Sequence, residues 1–186
     1  MRTYHPGMEI EISKGSDRDW IRIRRADGSE ETSTFPKKGM IPHDAVHFFV
    51  ERELPLADGF WGHVASGTAI GAIQQIAKDA GHASAKRADS PEPHIVQLLQ
   101  AERLVECFEA DHWGGGTDPA MFRASIAAAC AASLVPVPLV DEANINRIRE
   151  QIAGFAAKWT AAPIGAIFRF AWDPEQPGRR MSGRMI

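Results

Sequence analysis

The sequence has little cysteine and no long hydrophobic run, and both shortages narrow the class of protein. Its two cysteines, Cys107 and Cys130, lie outside any CxxC or other zinc-binding spacing. The most apolar stretch, residues 124–140, is shorter than the roughly 20 residues of a membrane helix and contains Pro136 and Pro138. No apolar segment typical of a secretory signal is visible near the N-terminus. We therefore expect a cytoplasmic protein that does not bind membranes.

A surplus of positive charge is also missing. The formal net charge is -3, and 24% of the residues are charged. A nucleic-acid-binding protein normally carries a basic excess, so we expect no nucleic-acid partner. Neither GxGxxG nor GxSxG occurs, and the phosphate-loop-like segment GHVASGT at 62–68 lacks the required lysine. Nucleotide-binding and nucleophile-elbow enzymes are therefore not indicated.

The N-terminal part is rich in strand patterns. Residues 8–12 (MEIEI) alternate between apolar and polar side chains, which is the period of a half-buried strand. Residues 20–35 are typical of a β-hairpin, with Ile21 and Ile23 on one face and Trp20 on the other. Asp27-Gly28 predicts a two-residue type I′ turn, because glycine accepts the positive φ that this turn requires.

The rest of the chain is predicted to be mainly helical, with one returning strand. Helical patterns cover residues 42–56, 60–80, 94–113 and 141–159, and a further helix begins at Pro119 and ends near residue 135. Residues 166–172 alternate again and predict a last strand in the N-terminal sheet. The order indicates one α+β domain over 1–186: a small antiparallel sheet, from the hairpin plus the C-terminal strand, packed against about five helices. Residues 1–36 are strand-rich, residues 42–161 are helical, and residues 173–186 form a loose tail.

The candidate site is a polar stripe on the helix at 42–56. With 100° per residue, His47 lies at about 40° and Glu51 at about 80° from His43, and Asp44 at about 100°. Two histidines one turn apart can present ring nitrogens to one metal ion. Glu51 is then a third ligand, an acceptor for an imidazole N–H, or a proton carrier. Zinc or iron are the expected ions, with His43, His47 and Glu51 as ligands and with Glu51 and Asp44 as catalytic groups.

A simpler interpretation competes with the metal site. An amphipathic helix needs a polar face, so these side chains are also consistent with contact to solvent or with a structural His47–Glu51 pair. The HDAVH segment differs from the zincin motif HExxH by aspartate in place of glutamate, which withdraws the base by about one methylene. We therefore do not transfer a peptidase function. His63 is a weaker additional candidate ligand, if the next helix folds back on this one.

Residues 20–67, roughly a quarter of the chain, resemble a family of small bacterial proteins of unknown function. Those proteins have an N-terminal hairpin, a PHDxxHxxVE-like helix start and a GF(W/F)G-like segment. The matching positions here are Pro42, His43, Asp44, His47, Val50, Glu51, Gly59, Phe60, Trp61 and Gly62. His63 departs from the apolar residue expected in that family. The resemblance implies no particular reaction.

Two function classes remain open from the sequence. The first is a metal-binding protein, with metal-assisted hydrolysis of an unidentified small molecule as the reaction class. The second is a non-catalytic interaction module, a homodimer among other assemblies. In that case an open sheet edge pairs with another chain, and an exposed Trp20 or Trp61 anchors the partner.

Overall fold

The computed structural model describes residues 7–37, 39–84, 91–116 and 118–173 of the chain. These residues form a four-stranded antiparallel sheet and six α-helices, which confirms the predicted α+β class. The predicted tail lies outside the described residues from position 174 onward. Among the described helices, none combines the length and apolar character that crossing a membrane requires.

The sheet joins the two ends of the described chain. Its strands are β1 (Met8–Ser13), β2 (Arg18–Arg24), β3 (Glu30–Pro36) and β4 (Ile167–Trp172), in the order β3-β2-β1-β4. Ile10 stands opposite Ile23 on one side and Phe170 on the other, so one face of the sheet is apolar. The opposite face carries ion pairs such as Arg22–Glu30 and Glu11–Arg169. The predicted returning strand is confirmed.

The turn between β2 and β3 differs from the predicted type. Arg25 N donates to Ser29 O (2.9 Å) and Gly28 N donates to Arg25 O (3.0 Å), which leaves a three-residue loop. Gly28 has φ 84°, whereas Asp27 is not among the residues with positive φ. The predicted two-residue type I′ turn is therefore wrong. Asp27 instead accepts a hydrogen bond from Ser29 N (2.8 Å), which stabilises the longer loop.

Six α-helices occupy most of the described chain between β3 and β4. They are α1 (His43–Glu53), α2 (Phe60–Ala65), α3 (Ile70–Ser84), α4 (Val96–Trp113), α5 (Pro119–Ala132) and α6 (Glu142–Ala161), with a short 3₁₀ helix at Pro93–Ile95. The helix predicted at 60–80 is divided into α2 and α3. Gly67 has φ 101°, which a right-handed helix does not allow, so the chain changes direction there.

Helix α1 lies at the centre of the core. Every residue from Asp44 to Glu53 is buried, because α1 contacts α2, α4 and α6 while Phe48 faces the sheet. The ring of Phe48 lies 4.8 Å from that of Phe170. A helix packed in this way keeps most of its polar stripe from bulk water, although the side chain of His43 at its start is 36% exposed. For His47 and Glu51, which are 1% and 3% exposed, the solvent-facing interpretation is therefore wrong.

The two tryptophans proposed as partner anchors have opposite environments. Trp20 is 52% exposed on the charged face of the sheet, as expected. Trp61 is fully buried, so the prediction that it is exposed is wrong. Its indole Nε1 donates to Asp44 O (3.1 Å), and this bond ties α2 to the start of α1.

Candidate metal centre

Three side chains from two helices converge at one point in the described part of the chain. His43 and His47 come from successive turns of α1, and Glu102 comes from the facing turn of α4. One ligand atom from each of the three lies within 4.8 Å of the others. Two helices that pack side by side therefore supply two imidazole nitrogens and one carboxylate, a ligand set that zinc and iron both accept.

The distances match the geometry of a small metal site. Nε2 of His43 lies 3.1 Å from Nε2 of His47. Oε1 of Glu102 lies 3.5 Å from Nε2 of His47, and Oε2 of Glu102 lies 3.7 Å from Nε2 of His43. Ligands at about 2.1 Å from a tetrahedral zinc ion are separated by about 3.4 Å. The nearest separations between the three groups are thus close to those around one ion, with each imidazole facing a different oxygen of Glu102.

Each imidazole also contacts a second carboxylate through Nδ1, the ring nitrogen that faces away from Glu102. Nδ1 of His47 lies 2.8 Å from Oε1 of Glu51, and Nδ1 of His43 lies 3.0 Å from Oε1 of Glu109. Burial raises the pKa of Glu51, while His47 and the amides of Phe60 and Trp61 counteract part of that rise. In the ionised form a carboxylate only accepts hydrogen bonds, and each Nδ1 then carries the proton. In a neutral imidazole this leaves the lone pair on Nε2, the atom that points at Glu102. Carboxylates at this position orient metal-binding histidines and raise their basicity.

Without a metal ion, protons on the imidazoles supply the positive charge that balances the carboxylates of the cluster. Burial alone would lower the pKa of His43, but hydrogen bonds with Glu102 and Glu109 outweigh burial and raise that pKa to about 9. His47 behaves similarly, since Glu102 and Glu51 raise its pKa well above the ordinary value despite complete burial. Burial would raise the pKa of Glu102, yet the two imidazoles hold it well below its usual range. The pocket therefore favours positive charge between its carboxylates.

The cluster opens into a cavity of about 650 Å³. Cavities of this size accommodate small molecules. The inner face of the sheet contributes Ile12, Ile21 and Phe35 to its lining, and α3 and α4 add polar side chains. The side chain of His43 is 36% exposed and that of Glu102 is 18% exposed, so the cluster is accessible from the cavity.

Asp44 also lines this cavity, next to His43 in the sequence. The residue as a whole is 6% exposed. Burial raises the pKa of Asp44, because the charged form loses its water, although the neighbouring imidazoles counteract part of that rise. A buried carboxyl with a raised pKa beside a cluster of this kind is suited to accepting and returning a proton.

The structure separates the predicted site residues into two groups. His43 and His47 converge as predicted, with Asp44 nearby on the cavity wall. Glu51 lies on the Nδ1 side of His47, away from the three converging ligand atoms. His63 lies on α2 and does not belong to the cluster.

Glu102 is the residue that sequence analysis missed. It stands on α4 in line with Glu106 and Glu109, which follow it by one and two turns. Such an acidic stripe is visible in the sequence, but it is equally typical of a solvated helix face. Only the packing of α4 against α1 distinguishes Glu102 from an ordinary surface glutamate.

Comparison with known proteins adds no further constraint. The chain matches no protein-family model, no curated protein and no solved structure. The resemblance of residues 20–67 to a bacterial family therefore stays a prediction. The function has to be inferred from the site itself.

Proposed function

We propose that the protein binds one divalent transition-metal ion, zinc or iron, between His43, His47 and Glu102. The observation that carries this proposal is the pair of imidazoles whose Nε2 atoms converge at 3.1 Å while each Nδ1 contacts a carboxylate. Two neutral imidazoles in this arrangement direct lone pairs at each other. A cation between them removes that repulsion and uses both lone pairs as ligands.

The reaction class we propose is metal-assisted hydrolysis of a small molecule bound in the cavity. A zinc ion held by His43, His47 and Glu102 would leave room for a bound water and would lower the pKa of that water toward neutral pH. Asp44 is the proposed proton acceptor, because its buried carboxyl lines the same cavity. Glu102 takes the ligand position that the sequence suggested for Glu51, and Glu51 supports His47 from behind. A cytoplasmic location is part of this proposal.

Elemental analysis of protein purified without a histidine tag tests the metal. We expect about one zinc or iron ion per chain, as for a site with one ligand set. His47→Ala should abolish metal binding, because it removes the most deeply buried ligand. Protein that takes up no zinc or iron at micromolar concentrations, or a His47→Ala variant that still binds stoichiometric metal, would contradict the proposal.

Catalysis needs a separate measurement. Panels of ester, amide and phosphoester substrates should include at least one that is hydrolysed by the metal-loaded protein and not after chelation. Asp44→Asn should then lower kcat by about 100-fold or more while zinc affinity stays close to wild type, as expected for loss of a general base. An Asp44→Asn variant with unchanged kcat would remove Asp44 from the mechanism.

A second candidate function rests on the open face of the sheet. Trp20 and Ile167 are 52% and 46% exposed, and both stand opposite Ser13 in the register. They flank Ser13 as two exposed apolar side chains on a face that otherwise carries mainly charged and polar residues, and exposed apolar patches mark contacts with other proteins. A non-catalytic interaction module, including a homodimer, would use this patch. Light scattering on wild type and Trp20→Ser decides the homodimer case, because that assembly should dissociate in the variant.

A further inference from the structure

The GFWG segment at 59–62 encloses the carboxylate of Glu51. Phe60 N donates to Oε1 of Glu51 (3.1 Å) and Trp61 N donates to Oε2 (2.9 Å). Oε1 also contacts Nδ1 of His47 at 2.8 Å. The carboxylate is fully buried, so these three donors replace its water shell. One glutamate therefore joins the start of α2 to a ring nitrogen of the metal cluster.

Gly59 leaves the space that this carboxylate occupies. A Cβ atom at position 59 would lie 2.6 Å from both Cδ and Oε2 of Glu51. The backbone of Gly59 is extended, with φ -75°, so an alanine there is not excluded by its own conformation. A side chain at this position would therefore force the Glu51 carboxylate to move.

The same segment contacts α1 at a second point. A second glycine allows it to approach the preceding loop. The indole of Trp61 donates to Asp44 O, one residue from His43. A Cβ at Gly62 would lie 1.7 Å from Ala57 O, so the segment also needs glycine there to approach the preceding loop. The ring of Phe60 lies 5.3 Å from that of His47. The segment thus contacts the cluster helix from several sides.

We propose that the GFWG segment is a clamp for the metal site and that Glu51 is its positioning residue. By fixing the Glu51 carboxylate against Nδ1, the clamp keeps the proton on that nitrogen and directs Nε2 of His47 at the ion. This inference rests on the proposed metal site and assigns it a control element that contains none of its ligands. Gly59 sets the position of Glu51, and Glu51 sets the orientation of His47.

The test is the zinc affinity of Gly59→Ala, measured by competition with a chromophoric chelator. We expect affinity to fall by about 10- to 100-fold, the usual effect of losing a carboxylate behind a ligating histidine. Gly154→Ala is the matched control, because a Cβ built at that helical glycine meets nothing within 4 Å apart from its neighbours and the backbone of its own helix. Its zinc affinity should equal that of wild type. Equal affinities for Gly59→Ala and Gly154→Ala would overturn the clamp.

A cobalt spectrum distinguishes positioning from general destabilisation. The visible absorption of bound Co²⁺ reports ligand geometry, so Gly59→Ala and the nearly isosteric Glu51→Gln should both shift it. Glu51→Gln also provides a variant in which the volume of the site is kept. If its Co²⁺ spectrum and zinc affinity match wild type, Glu51 is not a positioning residue.

A double-mutant cycle tests whether Gly59 acts through Glu51. Zinc affinity in the combined Glu51→Gln, Gly59→Ala variant should resemble that of whichever single variant binds zinc more weakly, because both changes disturb one contact. Losses that simply multiply would show that Gly59 acts independently, and would overturn the clamp. A wild type that binds no zinc would overturn the metal site and the clamp together. Normal wild-type binding that is unchanged in Gly59→Ala would overturn only the clamp.

Discussion

The Nε2 atoms of His43 and His47 lie 3.1 Å apart and face the same carboxylate, that of Glu102. Two imidazolium rings would direct N–H groups at each other across this gap, and two neutral rings with protonated Nδ1 would direct lone pairs. Both arrangements are repulsive unless a positive charge is shared between the rings. The geometry thus favours either one shared proton next to Glu102 or one metal ion.

Glu102→Gln tests whether Glu102 ligates the metal ion while its acidic neighbours on α4 do not. The amide has no negative charge and is a poor zinc ligand, so affinity should fall by more than the roughly 10- to 100-fold cost of losing an outer partner. The matched control is Glu106→Gln, one turn along the helix, where the side chain is 50% exposed and pairs with Arg103. Competition with a chelator should show near wild-type affinity for this control. Equal losses of zinc affinity in both variants would indicate a general effect of negative charge on α4 and not ligation by Glu102.

Zinc binding should release protons. In the metal-free protein, hydrogen bonds with Glu102 and Glu109 raise the pKa of His43 to about 9, and carboxylates raise the pKa of His47 well above its ordinary value, so the pair of rings holds at least one added proton near neutral pH. Metal ligation needs neutral imidazoles, so binding should release at least one proton. Calorimetry in two buffers of different ionisation enthalpy measures the number. No proton release in wild type would contradict ligation by these rings.

The metal-free protein should lose stability as the pH rises. The pKa of His43 increases from 6.5 in its ordinary state to about 9 in the folded protein. The folded state therefore binds the proton more tightly, and this contribution is complete below about pH 6.5 and disappears as the pH passes about 9. Urea unfolding with a chelator present should show the decline. The decline in the free energy of unfolding should be smaller in His43→Gln. An equal slope with pH in both proteins would assign the decline to other titrating groups.

Phe48→Ala tests the packing of α1 on the sheet. Phe48 is fully buried and its ring contacts Phe49, Phe170 and Trp172. Truncation should lower the free energy of unfolding by about 3–5 kcal/mol, the usual range for a buried phenylalanine. The control Met121→Ala, where the side chain is 66% exposed, should change it by about 0.5 kcal/mol or less. Chemical denaturation measures both, and equal effects would contradict the central position of α1.

Local patterns predicted most of the secondary structure. Alternation in residues 8–12 and 166–172 identified β1 and β4, and helical periodicity identified α4 and α6. These patterns succeed because burial on one face imposes a period of two in strands and 3.6 in helices. They failed at Gly67, where one positive φ separates α2 from α3, and at the Asp27-Gly28 turn. At both places the backbone conformation depends on a few hydrogen bonds that side-chain periodicity does not encode.

The candidate site was also predictable from the sequence only in part. Helical spacing alone placed His43 and His47 on one stripe, because residues four apart share a helix face whatever surrounds them. The role of Glu51 required α2, whose amides surround its carboxylate. The choice of Glu102 required α4, which lies far along the chain and is positioned by core packing. The sequence by itself determined which nitrogens lie together, while the tertiary structure decided which carboxylate meets them, because only packing sets the contacts between helices.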